Sequence, residues 1–262
     1  MAKADEILSK SNVLPGAMDI LILPELAFTG YVFRDKNHIA PFIETTQGPT
    51  FEWAQRVARR LHCHVQVGLA RLAEVENGDA EWRNSVILVD PSGELVHVYD
   101  KHFLYEVDER WAAEGDSFKA VSIMGRKLGF AICMDINPYR FESPFEEFEF
   151  AHFHKEAETD FVSASMAWVL SPGDSARKAS TPLSGTLNYW ATRMMPMIDS
   201  TVNSSKRIIM AVCNRVGGEN GTDFCGSSCV LEFANGGASL LGAMGYKQEG
   251  FIVVDTLHQE RG

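Results

Sequence analysis

Most of the strand-like runs in this chain are apolar on both faces, and that leaves few ways to fold it. "MDILILPE" (18–25) is a continuous apolar run that stops at Pro24. "HVQVGLARL" (64–72), "DFVSASMAW" (160–168), "RIIMAVCNRV", "SSCVLEF" and "GFIVVD" have similar strand character. A strand that is apolar on both sides must be covered on both sides. Segments with helical spacing stand between them. "PTFEWAQRVARRL" (49–61) opens on Pro and Thr and places Phe51, Ala54, Val57, Ala58 and Leu61 on one face. "SPFEEFEFAHFHKEAE" (143–158) reads as a helix with Pro144 in its first turn, and 186–203 as a helix interrupted or bent near Pro196. Two hairpins interrupt the alternation: 83–101, turning at Pro91-Ser92-Gly93, and 118–133, turning at Gly125-Arg126-Lys127. This pattern predicts one α/β domain over 1–262, with mixed sheets packed face to face and helices on the outer sides.

A formal net charge of −11 argues against a nucleic-acid or anionic-membrane partner, because phosphate binding needs a basic surface. No apolar run is long enough to span a bilayer, and "MAKADEILSK" has no apolar signal core. The five cysteines, at 63, 133, 213, 225 and 229, contain no CxxC pair, so neither a structural zinc site nor any other metal is expected. The simplest compartment is the cytoplasm, where thiols stay reduced.

Three residues of chemical interest each end a strand. Glu25 closes 18–25 and is followed by "AFTGYVF", an apolar and aromatic flank that desolvates a carboxylate and raises its pKa. Lys101 closes "HVYDK", and Cys133 closes "LGFAIC". Singly, they read as a loop acid, a hairpin lysine and a small core thiol. Jointly, they fit covalent acyl chemistry with no cofactor. The thiolate attacks a carbonyl, the carboxylate takes and returns protons, and the ammonium faces the oxyanion. The acids Glu106, Asp108, Glu109 and Glu114 read mostly as a solvated loop.

"LPELAFTGY", "YDKHFLY" and "GFAICMDINPYRFESPF", in that order, resemble the three motif blocks of the nitrilase superfamily of carbon–nitrogen hydrolases. "CNRVGGENGTDFCGSS" resembles that family's late Asn-Arg strand and loop. The resemblance implies a four-layer αββα sandwich and a catalytic triad of Glu25, Lys101 and Cys133. It also implies a second carboxylate near the lysine, assigned to Glu109, and an oxyanion contact from the Met134 backbone N–H. In this family a strand and a helix precede the Glu block. Here "ADEILSKSNV" reads as helix, so the first strand is expected to be missing, with an apolar sheet edge left uncovered.

"CMDINPYRFESPFEEFEFA", "DERWAAEG" and "YWATRMMPMI" are most similar to fungal protein N-terminal amidases. That resemblance implies peptide or protein substrates with a free N-terminal Asn or Gln, deamidated to Asp or Glu with release of ammonia. The alternatives are a small-molecule amidase or carbamoylase, or a non-catalytic relative that binds N-terminal amides. A desolvated α-ammonium needs acceptors, and Asn137, Asp135, Glu219 and Asp223 are the candidates. Asp135 also fits a turn cap, and Glu219 and Asp223 also fit a solvated Gly-rich loop. Trp168 is expected in the pocket wall; Met194, Met195 and Met197 are expected to pack their helix. A monomer is the expected state.

Overall fold

The computed structural model describes residues 1–74, 80–123, 125–174 and 178–256. One sheet holds strands β1 (Ile20–Ile22), β2 (His64–Glu74), β3 (Ala80–Val89) and β4 (Leu95–Asp100) in the order β1-β2-β3-β4. The β1–β2 pairing is parallel, and β2–β3 and β3–β4 are antiparallel. The larger sheet holds β5 (Ala120–Ile123), β6 (Arg126–Ile132), β7 (Phe161–Met166), β8 (Arg207–Asn214), β11 (Cys229–Ala234) and β12 (Gly237–Ala243) in the order β12-β11-β8-β7-β6-β5. Its centre, β6-β7-β8, is parallel. A short antiparallel ribbon, β9 (Val216–Glu219) with β10 (Thr222–Cys225), stands apart from both sheets.

The two sheets pack face to face. Val86, Leu88 and Tyr99 of the first meet Leu128, Phe130 and Ile132 of the second. Helices α1 (Ala2–Lys10), α2 (Lys36–Ile39) and α3 (Pro49–Leu61) accompany the first sheet. The periodicity of 49–61 is realised in full: Pro49 starts α3, His62 caps it in the left-handed region, and Phe51, Ala54, Val57, Ala58 and Leu61 are buried. They pack on Leu21, Val65, Val67 and Ile87. On the far side α4 (Glu149–Glu156), α5 (Ser184–Thr192) and α6 (Met195–Asp199) cover the second sheet. The result is an αββα sandwich of the expected kind.

Several expectations change. Only 149–156 of the stretch 143–158 is α-helical, because Phe148 takes a left-handed φ of 42° and interrupts the turn. "GFIVVD" forms no strand; Ile252 and Val254 instead lay their side chains over Gly242 of β12. The stretch 186–203 is interrupted near Pro196 as expected, dividing at 193–194 into α5 and α6. Met194 and Met197 are fully buried in that packing, while Met195 is exposed.

The chain opens on helix α1, and no strand precedes β1 among the described residues. β1 is therefore an edge strand. Beside it lies a cavity of about 1030 Å³, lined by residues such as Ile20, Ile22, Ala211, Val230 and Ile252. None of Glu25, Lys101 and Cys133 lines this cavity.

Candidate active site

The site is built where strands of both sheets end. Gly68 on β2 lets the chain leave β1 at close range: a Cβ there would stand 2.6 Å from the backbone nitrogen of Leu26. The turn that follows puts Leu26 at φ 44° and turns Glu25 into the interior, where it is fully buried. Lys101 follows β4 and is also fully buried. Its Nζ donates to Glu25 Oε1 at 2.6 Å and to Asp108 Oδ2 at 2.5 Å. Asn84, within β3, donates its amide to the same two carboxylates, at 2.7 Å to Glu25 and 3.0 Å to Asp108.

The electrostatics follow from burial. Desolvation raises the Glu25 pKa, opposed by the adjacent Lys101 ammonium. Burial alone would pull the Lys101 pKa down, but the carboxylates of Asp108 and Glu25 overcome it and hold the ammonium charged. Glu25 Oε2 is buried without a hydrogen-bond partner. It is thus free to take a proton from a group entering the site.

Cys133 follows β6 and opens a 3₁₀ turn, Cys133–Ile136. Its φ of 43° lies in the left-handed region that non-glycine residues rarely occupy, a conformation that persists only when its surroundings enforce it. Asp135 enforces it. Its buried carboxylate accepts from the backbone N–H of Ile132 at 2.7 Å, His102 at 3.1 Å and Phe103 at 2.9 Å, and from the Tyr99 hydroxyl at 2.9 Å. The Cys133 turn is thereby tied to the segment just after Lys101. Burial, and then the Glu25 charge, push the Cys133 pKa well above its usual value, against the pull of Lys101 and the Ala167 N–H. That direction favours a protonated sulfur at rest, in keeping with a thiol that Glu25 deprotonates.

Three expected residues are placed differently. The second carboxylate on Lys101 is Asp108, not Glu109. Asp108 is fully buried, whereas Glu109 is 44% exposed and lies 3.7 Å from Arg140. Asp135 has its acceptors committed to the N–H groups of Ile132, His102 and Phe103 and to the Tyr99 hydroxyl, and is not free for a substrate amine. Glu219 accepts from the backbone N–H groups of Tyr31 (3.0 and 2.9 Å) and Val32 (2.9 Å), and so it holds the loop after Glu25. Arg215, 3.5 Å from Glu219, donates to the carbonyls of Glu25 (3.3 Å) and Leu26 (2.8 Å) and fixes the other end of that loop.

The Carbon-nitrogen hydrolase family model matches residues 2–139. The protein N-terminal amidase of Schizosaccharomyces pombe is 36% identical over 265 residues, covering 95% of this chain and 90% of that one. The chain belongs to the carbon–nitrogen hydrolase family. A 2-oxoglutaramate amidase of Bacillus subtilis is 24% identical over 216 residues, covering 82% of this chain and 70% of that one. A crystal structure of N-terminal amidase with an Asn-Glu-Ala peptide matches the fold with a TM-score of 0.82 at 20% identity, covering 95% of this chain and 91% of that chain.

In this carbon–nitrogen hydrolase Trp168 and Tyr189 pack against the same apolar cluster that holds Cys133. Trp168, half-buried, stands 5.6 Å from the Tyr189 ring and 5.8 Å from Trp190. Its backbone N–H donates to Asn214 at 2.8 Å. Asn137 is buried at the end of the Cys133–Ile136 turn, and its Oδ1 accepts from the Tyr189 hydroxyl at 2.8 Å. Its oxygen is therefore already engaged. Asp223 is exposed on β10. The buried Arg193 donates to the Ile136 carbonyl at 2.7 Å and to the Phe145 carbonyl, and lies over the rings of Phe145 and Phe148. It anchors the segment after Cys133, a role sequence reasoning missed. Met134 is buried in the same turn. Among the described residues no His/Cys/Asp/Glu group is arranged to hold a metal ion, and no helix is long and apolar enough to cross a membrane.

Proposed function

We propose that this chain is a protein N-terminal amidase, which hydrolyses the side-chain amide of an N-terminal Asn or Gln to the acid and ammonia. The observation that carries the reading is the buried Glu25–Lys101–Asp108–Asn84 cluster beside the strained Cys133, in a chain 36% identical to one such amidase. Cys133 Sγ attacks the carboxamide carbon as its proton passes to Glu25. The oxyanion faces the Lys101 ammonium and the Met134 backbone N–H. Glu25 then protonates the departing nitrogen, ammonia leaves, and a thioester remains on Cys133. Glu25 next takes a proton from water, which attacks the thioester and returns the thiol. Asp108 and Asn84 keep Lys101 charged and Glu25 oriented throughout. No metal or cofactor takes part in these steps. The enzyme acts in a reducing, cytoplasmic compartment, consistent with five free cysteines.

The substrate's α-ammonium is placed near Trp168 and Tyr189, since the Asp135 and Glu219 carboxylates are committed to backbone N–H groups. Acetylating the amine removes both the charge and the fit. Ammonia release from an acetylated Asn-peptide is therefore expected to be at least about tenfold slower than from the free peptide, the equivalent of about 1.4 kcal/mol. Trp168→Ala is expected to raise KM for the free peptide more than it changes KM for the blocked one. Equal rates on the two peptides would favour a small-molecule amidase.

A further inference from the structure

Around the Glu25–Lys101 cluster the buried polar atoms without a hydrogen-bond partner include Glu25 Oε2, Asn84 Oδ1 and the Tyr31 hydroxyl. Tyr31 is 1% exposed, and its hydroxyl has no hydrogen-bond partner. Such a group costs about 1–3 kcal/mol, and persists where something else makes use of it. The side chain is not free to seek a partner. Its backbone N–H is held by Glu219, and its ring packs edge-on against Phe224 at 6.1 Å, in one cluster with Leu26, Trp111 and Ala167. The ring lies 5.9 Å from Lys101 Nζ. Ala167, its neighbour in that cluster, presents its backbone N–H to the Cys133 sulfur. Tyr31 therefore neighbours Lys101, and the Cys133 charge acts on it as well. Burial, and then the charges of Asp108, Glu25 and Cys133, raise its pKa well above the usual value, so the hydroxyl keeps its proton and can donate it.

Lys101 commits two of its three N–H groups to Glu25 and Asp108, leaving one for an oxyanion. We propose that the Tyr31 hydroxyl supplies a further hydrogen bond to the carboxamide oxygen of the bound substrate, strongest as that oxygen becomes negative. This rests on the amidohydrolase reading of Cys133, but not on recognition of a free N-terminus. Tyr31 is then a catalytic residue that sequence reasoning passed over as part of an apolar flank.

The test is Tyr31→Phe, which removes one oxygen and keeps the ring. Ammonia release is measured on an Asn-initiated tripeptide and on free glutamine, per folded molecule, alongside thermal melting. The expected result is a fall in kcat of at least about tenfold on whichever amide the wild type hydrolyses, with KM little changed. The melting temperature is expected to stay level or rise, because a buried orphan is lost. A merely structural hydroxyl would give the opposite pairing. Unchanged kcat overturns the inference, as does a loss fully accounted for by unfolded protein. A wild type that hydrolyses glutamine but not the tripeptide would refute N-terminal specificity and leave the Tyr31 comparison intact. A wild type inert on both removes the amidase reading and this inference with it.

Discussion

Cys133→Ser is expected to lower kcat for Asn-peptide deamidation by roughly a thousandfold or more, while the protein stays folded. The resting sulfur carries its proton, held there by burial and by the Glu25 charge, so reaction depends on handing that proton to Glu25 during attack. A hydroxyl holds its proton more tightly still and is a weaker nucleophile, so the same transfer becomes far harder. The Asp135 bonds to Ile132, His102 and Phe103 do not involve the thiol, so the strained turn survives the substitution. Cys63→Ala is the matched control. Burial raises that thiol to about 11, far from the cluster, and its loss should leave kcat within about twofold. Comparable residual rates in the two variants would remove Cys133 from the mechanism.

The second large effect concerns the lysine and its partners. Lys101→Met retains the stem but leaves Glu25 and Asp108 buried together without a counter-charge. Removing one member of a buried ionic group costs about 3–5 kcal/mol, so chemical denaturation should report a marked loss of stability. The kcat of the folded fraction should fall at least about a hundredfold as the oxyanion contact disappears. Asp108→Asn is gentler on folding but leaves Lys101 paired with Glu25 alone, which makes that carboxylate a weaker base; a loss of about tenfold or more in kcat is expected. Glu109→Gln removes only an exposed partner of Arg140 and should change kcat by less than about twofold. If the ranking of Asp108 and Glu109 were reversed in steady-state kinetics, the assignment of the lysine's second carboxylate would fail.

That pair also marks the limit of what the sequence could disclose. Glu25, Lys101 and Cys133 were legible because each ends a strand and each lies in a family motif block. Asp108 and Glu109 are adjacent acids in one 3₁₀ turn, Asp108–Arg110, and only the turn's rotation decides which faces Lys101. Asn84 lies within an apolar strand run, where its β-depleted residue type was the available signal. Asp135 and Glu219 have the composition of ligand carboxylates, but their oxygens meet backbone N–H groups distant in sequence. Two hairpins passed unnoticed although their turns were written plainly. Asn220-Gly221 and Asn235-Gly236 both take positive φ, 48° and 82°, then 52° and 73°, as the Asn-Gly turn signal requires. Their Gly-rich strands, β9 and β12, had too little β-propensity to stand out from loop.

The central claim is a thioester at Cys133, and intact-protein mass spectrometry tests it most directly. The wild type is mixed with an Asn-initiated peptide and quenched in acid during turnover. The account predicts a transient adduct equal in mass to the peptide less ammonia, confined after digestion to the fragment containing Cys133, and absent from Cys133→Ser. Ammonia release that continues at the wild-type rate with Cys133 replaced, or an adduct on any other cysteine, would contradict it.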